Sequence, residues 1–207
     1  MSKAVILANG AFPTHPLPRS ILHEAYPLVC CDGAINRLMI ENRIPDVIIG
    51  DLDSISPELR QRFGAILIED PDQETNDLTK AVNWCLRQGI ETVSILGATG
   101  EREDHTLANI ALLARYNRDI HAEMVTDHGT FRVVYTTCCL PSIPGQQVSL
   151  FSMTPETAIT STGLKYSLNQ MCLWELWQGS LNEATDHTFK LDFAKGCVVV
   201  FQTHPPH

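Results

Sequence analysis

Five short apolar runs in the first part of the chain each break off into small and polar residues, and this recurrence admits few folds. The sharpest case is Val47-Ile48-Ile49, followed directly by Gly50-Asp51-Leu52-Asp53-Ser54. Runs at 4–7, 28–31, 47–49, 65–68 and 93–96 read as strands. Between two of them, Leu78, Ala81, Val82, Cys85 and Leu86 recur at helical spacing, and the pattern closes at Arg87-Gln88-Gly89. A second helix is expected from about Thr106 to Tyr116, with Leu107, Ile110, Ala111 and Ala114 on one face. Strands alternating with helices predict an α/β fold, with a mostly parallel sheet covered on both faces.

Past about Phe131 the texture changes. Pro141-Ser142-Ile143-Pro144-Gly145 is a turn cluster, and 148–152, 158–162 and 188–193 read as short strands. Ala194-Lys195-Gly196 is expected to turn the last of these into a hairpin with 197–201. The division expected is an α/β catalytic, nucleotide-binding domain over 1–130 and a smaller all-β sandwich over 131–207, serving substrate binding and dimerisation. A chain of 207 residues has room for both.

Composition narrows the function classes. The hydrophobic fraction of 44% and charged fraction of 19% are those of an ordinary soluble globule. The net charge of −9 comes with no basic run, which argues against a nucleic-acid partner. No segment is long and apolar enough to span a membrane. The opening Met1-Ser2-Lys3-Ala4-Val5-Ile6-Leu7-Ala8-Asn9-Gly10 reads as a strand and turn, not as a signal peptide. The 7 cysteines include no Cys-x-x-Cys pair, so reduced thiols in a cytoplasmic protein are expected rather than a zinc ribbon.

In an open parallel sheet, ligands bind beyond the carboxyl ends of the strands. The residues there are Asn9-Gly10, then Asp32-Gly33-Ala34-Ile35-Asn36, then Asp51 and Asp53. After them come the 70–77 run with Gln73 and Asp77, and Gly97-Ala98-Thr99-Gly100-Glu101-Arg102-Glu103-Asp104-His105-Thr106. Asp51 and Asp53, at i and i+2, would leave an extended strand on the same face and are suited to Mg²⁺. Alone, an Asp-x-Asp pair is also turn or capping chemistry. Asp77 is equally a first-turn acid, with Thr75 or Asn76 as cap. The glycine turn is neither a Rossmann nor a Walker motif, but it links a strand to a helix, where backbone N–H groups can cradle phosphate. Arg102 adds a forked cation, with a surface ion pair as the plainer alternative. His105 reads as an orienting or capping group rather than a base. Tyr166, Trp174 and Trp177 supply either core aromatics or a stacking wall for a flat cationic ring.

Four stretches carry a resemblance. They are Cys31-Asp32-Gly33-Ala34-Ile35-Asn36, Pro45-Asp46-Val47-Ile48-Ile49-Gly50-Asp51-Leu52-Asp53-Ser54, Asp72-Gln73-Glu74-Thr75-Asn76-Asp77-Leu78-Thr79-Lys80-Ala81, and Gly97-Ala98-Thr99-Gly100-Glu101-Arg102-Glu103-Asp104-His105-Thr106-Leu107-Ala108-Asn109. In this order they resemble the thiamine pyrophosphokinase (thiamine diphosphokinase) family. The resemblance implies transfer of a pyrophosphoryl group from ATP to the hydroxyl of thiamine by a homodimer with active sites between protomers. It implies Mg²⁺ and phosphate-site positions at Asp51, Asp53, Asp77 and Asp104, with Arg102 as the phosphate-binding arginine. ATP contacts are expected from Asp32, Gly33, Asn36, Gly97, Thr99, Gly100, Arg102, His105 and Thr106. Thiamine contacts are expected from Gln73, Ser180 and Asn182. Departures are Asn76 for the family's usual threonine, Glu101 for a glycine and Leu181 for a frequent serine. Rival readings are a pyrophosphokinase for a pterin-like alcohol, a metal-dependent nucleotide pyrophosphatase, and a binder without catalysis.

Overall fold

The computed structural model describes residues 2–205; Met1 and the last two residues of the expected sandwich domain lie outside them. The described residues divide into two compact units, one reaching Asp127 and one beginning at His128.

The first unit holds strands β1 (Lys3–Leu7), β2 (Leu28–Cys31), β3 (Val47–Gly50), β4 (Leu67–Glu69), β5 (Thr92–Leu96) and β6 (His121–Val125). Its helices are α1 (Pro16–His23), α2 (Ala34–Ile40), α3 (Pro57–Phe63), α4 (Asp77–Arg87) and α5 (Glu103–Tyr116). The strands run in the order β6-β5-β1-β2-β3-β4, and every pairing is parallel. The chain therefore winds outward from β1, returns, and winds the other way from β5. The place between β1 and β5 is the topological switch point.

Alternation along the strands builds two cores. Val5, Leu7, Leu28, Cys30 and Ile48 pack with Leu22 of α1, Leu38 of α2 and Phe63 of α3. The intervening Ile6, Val29, Cys31 and Ile49 are equally buried, and α4 packs across β1, β2 and β3 with Leu78, Ala81, Val82 and Cys85 buried. The parallel sheet is thus covered on both faces.

Two local expectations for this unit change. The fourth strand starts later than 65, because Gly64–Ile66 forms a 3₁₀ turn and only Leu67–Glu69 pairs, at the sheet edge. Helix α5 begins one turn before Thr106, where Glu103 and Asp104 suit the positive end of a helix. Its buried residues are Leu113 and Tyr116, while Leu107 is 66% exposed. Polar anchors turn the helix away from the expected face: Asn109 Nδ2 donates to the Ala98 carbonyl at 2.9 Å, and the Tyr116 and Thr79 hydroxyls meet at 2.7 Å.

The second unit contains β7 (Gly129–Val134), β8 (Cys138–Pro141), β9 (Gln147–Ser152), β10 (Ala158–Thr162), β11 (Met171–Cys172), β12 (Asn182–Glu183), β13 (Thr188–Asp192) and β14 (Val198–Thr203). Within it the strands order as β12-β9-β14-β7 and β11-β10-β13-β8, all antiparallel. Val148, Leu150, Val198 and Val200 from the first set share a core with Ile159, Phe189 and Leu191 from the second.

The expected hairpin between the last two strands is not formed. β13 pairs with β8 and β10, whereas β14 pairs with β7 and β9. Consecutive Val198, Val199 and Val200 are all buried, as suits a central strand flanked on both sides. The 194–196 turn therefore carries the chain from one sheet to the other.

Candidate active site

The sheet ends of the first unit place four aspartates around one glycine. Asp32 follows β2 and is 2% exposed; its backbone N–H continues the ladder to the Ile49 carbonyl at 2.8 Å. Asp51 and Asp53 follow β3, but not on an extended strand. Leu52 between them has φ of +65°, so the two carboxylates leave a tight turn, where the Asp53 N–H donates to Asp51 Oδ1 at 3.3 Å. This turn folds them back toward Asp32, and each of the three offers an oxygen within 4.8 Å of the others. Asp77 opens α4, which Asn76 caps by accepting from the Thr79 N–H at 2.9 Å.

Gly50 makes the approach possible. A Cβ there would lie 2.5 Å from Asp32 Cβ and 3.2 Å from Asp77 Oδ1. Only a residue without a side chain lets these two carboxylates flank the end of β3.

The electrostatics of the group are those of a cation site. Burial pushes the Asp32 carboxyl up to about 6, and Asp77, Asp51 and Asp53 push it the same way. Burial also raises Asp77, against the opposing charge of Lys80. Asp51 is lowered, first by the Asp53 N–H and also by Gln73, whose amide donates to it at 3.4 Å. Asp32 Oδ2 accepts from the Ser54 N–H at 3.4 Å, but its buried Oδ1 has no partner. An unpartnered buried oxygen among three further carboxylates fits a hard divalent cation.

Beside this group lies a pocket at the switch point. Asn9 and Gly10 from the end of β1, Asp77, Thr99, Arg102, His105, Thr106 and Asn109 are among the residues lining it. The glycine turn is bound to the β1 loop: the Gly10 and Ala11 N–H groups donate to the Gly97 and Thr99 carbonyls at 2.6 and 2.8 Å. Gly97 and Gly100 take φ of +65° and +87°. Arg102 forks onto Asp104, Nε to Oδ1 at 3.1 Å and Nη2 to Oδ2 at 2.5 Å, which holds the Asp104 carboxyl down at about 2.

Residues 19–125 match the family described as "Thiamin pyrophosphokinase, catalytic domain", and residues 129–201 match "Thiamin pyrophosphokinase, substrate-binding domain". The chain belongs to the thiamin pyrophosphokinase family. It is 32% identical over 198 residues to "Thiamine pyrophosphokinase 1" of Oryza sativa subsp. japonica, covering 80% of this chain and 74% of that protein. It is 29% identical over 176 residues to "Thiamin pyrophosphokinase 1" of Caenorhabditis elegans, covering 74% and 69%. The fold matches the crystal structure of thiamine pyrophosphokinase from Bacillus subtilis at a TM-score of 0.81 and 22% identity, over 99% and 100% of the two chains. Thiamin pyrophosphokinase from Candida albicans matches at 0.79 and 19%, over 98% and 90%.

Within this family frame, the predicted residues fall into several places. Asp32, Asp51, Asp53 and Asp77 converge, and Gln73 reaches Asp51. Thr99, Arg102, His105 and Thr106 line the pocket, with Gly97 and Gly100 shaping its turn. Asp104, for which holding metal and orienting Arg102 are both open, has its oxygens on Arg102 and on the His105 N–H. Gly33 precedes α2 and is approached by the Asn9 side chain; Asn36 spends its amide on the Gly33 carbonyl at 3.2 Å.

Ser180 and Asn182 belong to the second unit. The Ser180 hydroxyl donates to the Trp177 carbonyl at 2.7 Å. Asn182 is buried, accepts from the Tyr166 and Glu183 N–H groups, and donates to the Tyr166 carbonyl at 2.8 Å.

The sequence assigns Asp32 to ATP and does not show that it stands within 4.8 Å of the Asp51 and Asp53 oxygens. It also assigns no role to Asn109 or Lys80. The Asp-Gly after a buried strand was the available signal for Asp32. Asn109 gave none, because its link to Ala98 and to Asn76, whose amide donates to it at 3.3 Å, exists only in three dimensions.

Two of the three family departures have local roles, and nothing in the structure explains Leu181. Asn76 serves as helix cap. Glu101 forms an ion pair with Arg37 of α2. Leu181 takes a positive φ of +56° on an exposed turn.

Proposed function

We propose that this protein transfers the pyrophosphoryl group of ATP to the hydroxyl of thiamine, giving thiamine diphosphate and AMP. The observation that carries the reading is the convergence of Asp32, Asp51, Asp53 and Asp77 on Gly50, with one buried Asp32 oxygen unpartnered. Pyrophosphoryl transfer is mostly positioning and charge stabilisation, and this group sits beside a pocket at the switch point of a parallel sheet.

Asp32, Asp51, Asp53 and Asp77 would hold Mg²⁺, which supplies charge neutralisation at phosphate oxygens facing the incoming hydroxyl. Arg102 binds the transferred phosphates by its guanidinium, and Asp104 orients that fork. The turn of Gly97, Thr99 and Gly100, with His105 and Thr106, seats the nucleotide, and Asp32, Gly33 and Asn36 border it. The thiamine oxygen forms a bond to the β-phosphorus as the bond to the α-phosphate bridge breaks, AMP leaves, and the hydroxyl proton passes to a carboxylate or to solvent. Gln73 stands on the thiamine side, anchored at Asp51. Ser180 and Asn182 serve thiamine recognition by shaping the Trp177 turn and the Tyr166 backbone.

The remaining assignments are a homodimer, in the cytoplasm. Exposed Trp174, Leu176, Trp177 and Leu181 in the second unit support a covered surface there. Cys30, Cys31, Cys85, Cys138, Cys139 and Cys172 are free thiols, which suits a reducing compartment. No helix among the described residues is long and apolar enough to cross a membrane. Light scattering in solution tests the dimer.

Incubation with ATP, Mg²⁺ and thiamine, followed by chromatography, tests the activity. Thiamine diphosphate and AMP in equal amounts are expected. AMP formed without an acceptor would identify a hydrolase, and no turnover a binder.

A further inference from the structure

Lys80 lies one helical turn after Asp77, on the buried face of α4. It is 2% exposed, and its Nζ stands 3.4 Å from Asp77 Oδ1. A lysine is almost never this deeply buried unless a countercharge holds it, because taking an ammonium out of water is costly. The countercharge here belongs to the carboxylate group around Gly50. The reach of its charge extends beyond Asp77, favouring the ionised forms of Asp51 and Asp72 as well. Four carboxylates meeting at one strand end repel one another. A cation anchored by the helix itself would relieve that repulsion whether or not a divalent ion is bound.

We infer that Lys80 is a resident cation of the carboxylate group, a positioning residue that holds Asp77 beside Gly50 in the metal-free protein and limits how tightly a divalent ion is held. The claim about metal affinity rests on the proposed Mg²⁺ site; the claim about the metal-free protein does not.

The test compares wild type, Lys80→Met, Asp77→Asn and the double variant. Thermal unfolding is measured without metal and in saturating Mg²⁺, and Mn²⁺ binding is followed by electron paramagnetic resonance. Lys80→Met should unfold at a lower temperature without metal, and Mg²⁺ should close more than half of that gap. The Mn²⁺ dissociation constant should fall about tenfold, as removal of one nearby unit charge implies. The double variant should be more stable without metal than Lys80→Met alone, since removing both charges leaves neither unpaired. This arm also decides the case if Lys80→Met does not fold by itself.

A deficit equal with and without Mg²⁺, weaker Mn²⁺ binding, or no rescue by Asp77→Asn would overturn the inference and leave Lys80 as packing. If wild type binds no Mn²⁺, the metal reading fails, while the metal-free comparison still judges Lys80.

Discussion

Two sets of acidic residues border the same pocket region and differ in what satisfies them. Around Gly50, Asp32 is buried, its carboxyl is pushed up to about 6, and one oxygen lacks a partner. At the start of α5, Asp104 is exposed, held down at about 2, and spent on Arg102. The first group leaves a buried oxygen unpartnered, while Asp104 in the second is paired with a guanidinium. Acidic residues at strand ends are therefore not interchangeable. Burial and an internal partner decide which of these carboxylates is left free to take a cation and which is already satisfied.

The contrast breaks most severely at the first group. Asp51→Asn and Gly50→Ala should each lower kcat by about 10² or more with saturating Mg²⁺. The first removes a ligand charge, and the second drives a methyl into Asp32. Circular dichroism should show the Asp51→Asn fold intact, and near-normal kinetics in both variants would dismiss the metal role.

A smaller effect is expected at the second group. Arg102→Lys keeps the charge and loses the fork, so kcat should fall by about tenfold with little change in the thiamine KM. Asp104→Asn should cost only a few-fold, with unchanged unfolding temperature, because an exposed pair adds little stability. A Mg²⁺ requirement shifted by Asp104→Asn would return Asp104 to the metal site.

The smallest effect is on stability. Asp32 has a folded value near 6 against an ordinary 3.8, so between these values the folded state binds more protons than the unfolded one. Metal-free stability should therefore fall as pH rises through that window. Mg²⁺ should raise the unfolding temperature more at pH 8 than at pH 4.5. Calorimetry showing the same Mg²⁺ effect at both values would separate Asp32 from the cation.

The aspartates and the glycine turn were legible because each ends an apolar run, and strand ends on one sheet must share a rim. The geometry that unites them was less so. Asp51 and Asp53 were read as neighbours on an extended strand, yet Leu52 bends the chain and turns them toward Asp32. Leu107 belongs to the apolar stripe expected on α5 yet is 66% exposed, because periodicity marks an apolar stripe without saying what covers it.

Local pattern alone determined the alternation of strands and helices, the change of texture into the β-rich half and the acidic rim, since each follows from the burial preference of short stretches. Tertiary structure decided the strand that leaves β13 for the opposite sheet, the pairing of Asp104 with Arg102 and the burial of Lys80. Those depend on which distant backbone and charge come to lie beside a residue, and on the low dielectric their packing creates.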